Sequence, residues 1–189
     1  MDKYSNYIDL AACEREGTDF KVVVLERDGA LAAIIAPHAG GIEPKTGPIA
    51  RDIARTDSSL YCFRGLKKDG NHDLHITSHN FDEPKCLKLI ANHKCVIAIH
   101  GCDEGGERIF ISGLDTSLIH DLADGLNCVG IVAETSGHKY TGTMPNNICN
   151  RGQTGKGVQF ELSLQFRNGT QVPAFVRAVR AVLCGRNIA

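Results

Sequence analysis

Two unbroken apolar runs, Leu31–Ala36 (LAAIIA) and Val96–Ile99 (VIAI), constrain this chain more than any other feature. A strand with one wet face alternates apolar and polar residues. These runs offer no polar face, so both sides must be covered, as in the central strands of a parallel sheet. Around them, strand-like and helix-like segments alternate, which predicts a single α/β domain over 1–189 with a mixed, mostly parallel sheet flanked by helices. Strands are expected at 20–26, 31–36, 60–64, 73–78, 95–100, 109–112, 129–133 and 158–164. Helices are expected at 46–55, 84–92, 115–126 and 173–183. Asp28-Gly29 between the first two strands reads as a hairpin turn. The stretch from Glu134 to Gly157, rich in Gly, Thr and Asn, reads as a functional loop.

Composition excludes several classes. The net charge is −1 over 189 residues and no basic block is present, which argues against a nucleic-acid partner. No apolar run approaches the roughly 18 residues that span a bilayer. The opening MDKYSNYIDL has no basic segment leading into an apolar one, so no signal peptide is expected. A cytoplasmic origin, with release by host lysis, and a monomeric state are the expectations. The eight cysteines form no CxxC pair and read as buried, reduced thiols.

Each apolar run ends on histidine: Pro37-His38 after the first, His100 after the second. Ligands of open α/β sheets gather outside the carboxyl ends of the strands. Two imidazoles delivered there can meet, and Gly40, Gly41 and Gly101 let the chain turn away. Glu43 follows across the Gly-Gly loop. Two His and one Glu are the protein ligands of a catalytic zinc with an open fourth position. Either His alone reads more readily as a hydrogen-bonded structural residue; it is the coincidence of both with Glu43 that supports the metal reading. A rival cluster is His72, His75 and His79, but DLHITSHNF reads as a strand that splits them, leaving His75 and His79 to line a pocket. In VQFELSL, Glu161 lies on the polar face, either solvated or serving as a general base.

The segments PHAGGIEP, LHITSHNFDEP, AIHG, NICNRG and QFELS together resemble the phage and bacterial poly-γ-glutamate hydrolases, which are zinc peptidases. The resemblance runs from about Ser5 to Val182. It implies a zinc-carboxypeptidase-like fold, one zinc ion (Zn2+) per chain on His38, Glu43 and His100, and Glu161 as the catalytic glutamate. It also implies hydrolysis of γ-glutamyl amide bonds. Carboxypeptidases grip a substrate carboxylate with an Asn/Arg pair; the matching pair here is Asn150-Arg151, which follows His100 instead of preceding it. Arg51, Arg64 and Lys45 are the alternative cations. The His-to-Glu spacing is also longer than in carboxypeptidases. The competing functions are a non-catalytic, phage replication-associated binding protein and a zinc amidohydrolase of small acyl-amino acids.

Overall fold

The computed structural model describes residues 2–188. Its strands are Phe20–Leu25 (β1), Ala32–Gly40 (β2), Ser59–Gly65 (β3), Cys95–Cys102 (β4), Ile109–Gly113 (β5) and Val158–Ser163 (β6). They form one sheet in the order β1-β3-β2-β4-β6-β5. The inner strands β3, β2, β4 and β6 are parallel, and the edges β1 and β5 are antiparallel to their neighbours. The two apolar runs lie side by side at the centre, with Ala33 opposite Val96 and Ile35 opposite Ala98.

The helices are Tyr7–Cys13 (α1), Thr46–Ala54 (α2), Pro84–Ile90 (α3), Thr116–Asn127 (α4), Leu164–Asn168 (α5) and Val172–Gly185 (α6). One face of the sheet (Ile34, Ala36, Ile97, Ile99) packs against α2, α4 and α6. The other (Ala33, Ile35, Val96, Ala98) packs against Leu10 of α1, Leu89 and Ile90 of α3, and Phe81. Each fully buried Ile, Leu or Phe in these layers contributes roughly 1.5–3 kcal/mol. This double cover is why β2 and β4 tolerate no polar side chain before their carboxyl ends.

Three expectations are corrected. β1 does not form a hairpin with β2, because β3 lies between them. β2 is apolar on both faces and takes an interior place, whereas β1 has partly exposed residues and sits at the edge. Residues 73–78 are not a strand: a 3-10 turn covers Asn71–Leu74, and Leu74 and Ile76 anchor the following loop in the core. Residues 129–133 are also not a strand. Val129 and Val132 are 47% and 74% exposed, Ile131 packs into the core, and the first ladder contact is the bridge between Phe110 and Glu134. The last expected strand stops at Ser163, whose hydroxyl accepts from the Phe166 N–H and caps α5.

Candidate metal centre and active site

The carboxyl end of β2 is irregular. Its register with β3 shifts between Ala36 and Ala39, around Pro37-His38. Proline cannot donate to a ladder, and a bulge re-aims the residue that follows it. His38 thus enters the protein interior at 1% exposure. Gly40, at φ +72°, turns the chain where any Cβ would collide with the Gly65 carbonyl. The Glu43 N–H then donates to the His38 carbonyl at 2.8 Å, returning the Glu43 carboxylate beside the imidazole. The longer His-to-Glu spacing is accommodated by this closed loop.

Neighbouring groups fix each side chain. His38 Nε2 donates to the Ile76 carbonyl at 2.8 Å, leaving Nδ1 with the lone pair. His100 Nε2 lies 3.4 Å from Ser78 Oγ, leaving its Nδ1 inward. Glu43 Oε2 accepts from the Gly101 N–H at 2.8 Å. The two Nδ1 atoms and the Glu43 carboxylate therefore converge. His38 Nδ1 is 3.1 Å from Glu43 Oε1 and 3.2 Å from His100 Nδ1, and His100 Nδ1 is 3.8 Å from Glu43 Oε2. Ligands about 2.0–2.1 Å from a tetrahedral zinc stand about 3.3 Å apart. Facing lone pairs repel at such separations, and a proton shared by His38 and Glu43, or a metal ion among the donors, would relieve the repulsion. His75 joins His38 and Glu43 within 4.8 Å. Its Nε2 stands 3.9 Å from Glu43 Oε1, nearly the same as the 3.8 Å between His100 Nδ1 and Glu43 Oε2.

The charges reflect this crowding. Burial pulls the His38 pKa down, but the Glu43 carboxylate outweighs it and leaves the pKa raised. Burial pushes the Glu43 pKa up, and His38 reverses the shift to leave it lowered. His100 is pulled down to about 3 by burial, against the attraction of Glu43. Glu161 is driven well above the usual carboxylate range by burial and by the Glu43 charge. A half-buried, pKa-shifted glutamate in a cleft beside a donor cluster is a marker of a catalytic site.

His38, Glu43, His75, His100 and Glu161 all line one open cleft of about 530 Å³. His72 of the rival cluster also lines it, and the remaining sequence candidates lie elsewhere. Asn150 accepts from the Gly157 N–H and donates to the Gly142 and Met144 carbonyls, knitting the 134–157 loop together. Arg151 donates to the Phe81 carbonyl. His79 contributes its carbonyl to Asn146. Among the residues lining the cleft, none of Asn150, Arg151, His79, Arg51, Arg64 or Lys45 is found. Of the rival cluster, His72 and His75 stack with ring centres 6.1 Å apart.

Arg167, which sequence reasoning missed, also lines the cleft. It is 5% exposed, its Nε donates to the Leu162 carbonyl and its Nη1 to the Pro44 carbonyl. Among the described residues its Nη2 has no partner. The guanidinium crosses Gly101 so closely that a Cβ there would meet it at 2.5 Å, which explains the glycine. No local motif marks Arg167, because its partners come from β6 and from the loop before α2. Lys139 and Tyr140 of the 134–157 loop also border the cleft, so this loop shapes it. All eight cysteines are free; Cys13, Cys128 and Cys184 are exposed, a departure from the expectation that they are buried.

The sheet order, with the His/Glu cluster at the carboxyl edge of its parallel strands, defines an α/β fold of the zinc-carboxypeptidase-like class. Residues 4–172 match the family model described as poly-gamma-glutamate hydrolase, and the chain belongs to that enzyme family. It is 40% identical over 168 residues to UPF0714 protein YndL of Bacillus subtilis (strain 168), covering 88% of this chain and 66% of that protein. It is 35% identical over 188 residues to the SPbeta prophage-derived UPF0714 protein YoqZ of the same organism, covering 92% and 68%. The chain thus spans about two thirds of the length of these curated relatives. Among solved structures, a bacteriophage poly-gamma-glutamate hydrolase superposes with a TM-score of 0.94 at 30% identity over 99% of both chains. A structure described as zinc-free YndL superposes with a TM-score of 0.88 at 33% identity over 98% and 99%. Among the described residues no helix is long and apolar enough to cross a membrane.

Proposed function

We propose that this protein hydrolyses the γ-glutamyl amide linkages of poly-γ-glutamate, with zinc held by His38, Glu43 and His100. The observation that carries this reading is the convergence of His38 Nδ1, His100 Nδ1 and the Glu43 carboxylate in a cleft that also contains Glu161. Family membership supplies the substrate class. Zinc at such a site would polarise the scissile carbonyl and acidify a water. The Ile76 carbonyl and the Gly101 N–H orient the His38 ring and the Glu43 carboxylate, as outer partners of metal ligands do. Glu161 accepts the proton of the attacking water and returns it to the departing amine. Burial makes Glu161 a stronger base than a solvated carboxylate, which suits it to both transfers. The open edge of Arg167 receives a substrate oxygen anion; its guanidinium is already oriented by two carbonyls.

The test is to incubate purified protein with poly-γ-glutamate, with and without a chelator, and to size the products. Shortened chains that disappear on chelation and return with zinc are expected. An unchanged size distribution with zinc-loaded protein overturns the substrate assignment.

A further inference from the structure

We propose that Asp2, in the N-terminal arm, is a positioning residue of the metal centre that acts through His75. The inference rests on the metal reading above. Asp2 Oδ1 accepts from His75 Nδ1 at 2.7 Å. A carboxylate only accepts, so His75 Nδ1 must carry the proton and Nε2 carries the lone pair. That lone pair is on the side of Glu43, 3.9 Å from Oε1. The ring is further set by His38, whose centre is 4.1 Å away. His75 therefore offers a fourth donor beside the triangle of His38, Glu43 and His100. Outer carboxylates that hold a ligand imidazole in this way fix its tautomer and raise its donor strength.

The arm that delivers Asp2 is itself anchored. Asp2 Oδ2 accepts from the Thr77 N–H at 2.6 Å, Lys3 donates to Asp73 at 3.2 Å, and the Tyr4 hydroxyl donates to the buried Glu14 at 2.6 Å. Asp2 is only partly buried and contributes nothing to either apolar cluster. Its side chain can therefore be changed without opening the core. In sequence it lies 73 positions from His75, so no local pattern marks the pair.

The experiment measures zinc affinity of the metal-free protein by competition with a chromophoric chelator, together with the thermal midpoint. Wild type, Asp2→Ala, Asp2→Glu, His75→Ala and the double variant Asp2→Ala/His75→Ala are compared. Asp2→Ala should weaken zinc binding by about 10- to 100-fold, the usual cost of losing an outer-shell partner. Asp2→Glu should recover part of it. In the His75→Ala background, Asp2→Ala should add less than about twofold, as expected when both changes remove one coupled interaction. Full affinity in Asp2→Ala, or an undiminished loss in the His75→Ala background, overturns the proposal. A fall in the thermal midpoint of metal-free Asp2→Ala with zinc affinity retained also overturns it, because Asp2 then serves only to anchor the Thr77 loop. Failure of wild-type protein to cleave poly-γ-glutamate while it binds zinc tightly would instead refute the substrate reading and leave this one standing.

Discussion

His100 and Glu161 face each other across paired parallel strands, in register between β4 and β6. The pairing places the proposed proton carrier next to a proposed ligand, and both line the cleft. Glu161→Gln preserves shape but cannot take a proton. Turnover should fall by ~10² to 10⁴, the usual contribution of positioned proton transfer, with zinc content unchanged. A near-normal rate would move the proton transfer to another group lining the cleft.

The triangle of His38, Glu43 and His100 makes a second prediction. His38→Ala and His100→Ala should each lower zinc affinity by more than His75→Ala does, because each removes one of the three proposed ligands while His75 adds only a neighbouring donor. His72→Ala should retain wild-type affinity, since His72 stacks on His75 outside the triangle. Wild-type zinc affinity in His100→Ala by chelator competition would remove that residue from the ligand set.

Arg167→Gln removes a buried cation whose Nη2 is unpaired among the described residues. A hydrogen bond to a charged group is worth roughly 1.5–3 kcal/mol, so kcat/KM should fall by about 10- to 100-fold. Arg167→Lys keeps the charge without the fork and should recover little. Equal kcat/KM in wild type and Arg167→Gln would show that substrate does not reach this side chain.

The thiols should be dispensable for catalysis. Burial pushes Cys62 up to about 11 and Cys95 and Cys149 up to about 12, so they remain protonated and unreactive at neutral pH. Mild alkylation should therefore modify the exposed Cys13, Cys128 and Cys184 and leave hydrolysis intact. Rapid inactivation with zinc still bound would point to a cysteine nucleophile.

Arg180 on α6 grips Asp57, which follows α2, through Nη1 and Nη2 at 2.9 and 2.5 Å. The hydrogen bond to Arg180 holds the Asp57 carboxyl below its ordinary value. A depressed carboxyl pKa stabilises the folded state above the unfolded value, near pH 4, and the benefit fades as pH falls through the folded value. Asp57 is 36% exposed, so solvent limits the pair to at most ~1 kcal/mol. Metal-free Asp57→Asn should melt up to about 2–4 °C below wild type at pH 7 and progressively closer to it below about pH 4. A constant deficit across that range would exclude the ion pair as its source.

Local order along the chain accounts for the centre of the sheet and for two of the three proposed ligands. An apolar run without a polar face has one low-energy place, the interior of a sheet covered on both sides, and Ala32–Ala36 and Val96–Ile99 lie there. A histidine just past such a run must emerge at the carboxyl edge, so the residue order alone brings His38 and His100 to the same edge. Features that depend on distant segments came only with the fold. The strand order follows from competition for interior places, which sent β1 to the edge and undid the expected hairpin. Asn150-Arg151 has the composition of a clamp, but loop carbonyls and N–H groups claim it, while the cleft received Arg167, positioned by Leu162 and Pro44. Asp2 reaches His75 only because the fold closes a 73-residue separation. Periodicity reports which face of an element is buried. It carries no record of which distant carbonyl or carboxylate will meet a given side chain, and such meetings complete this site.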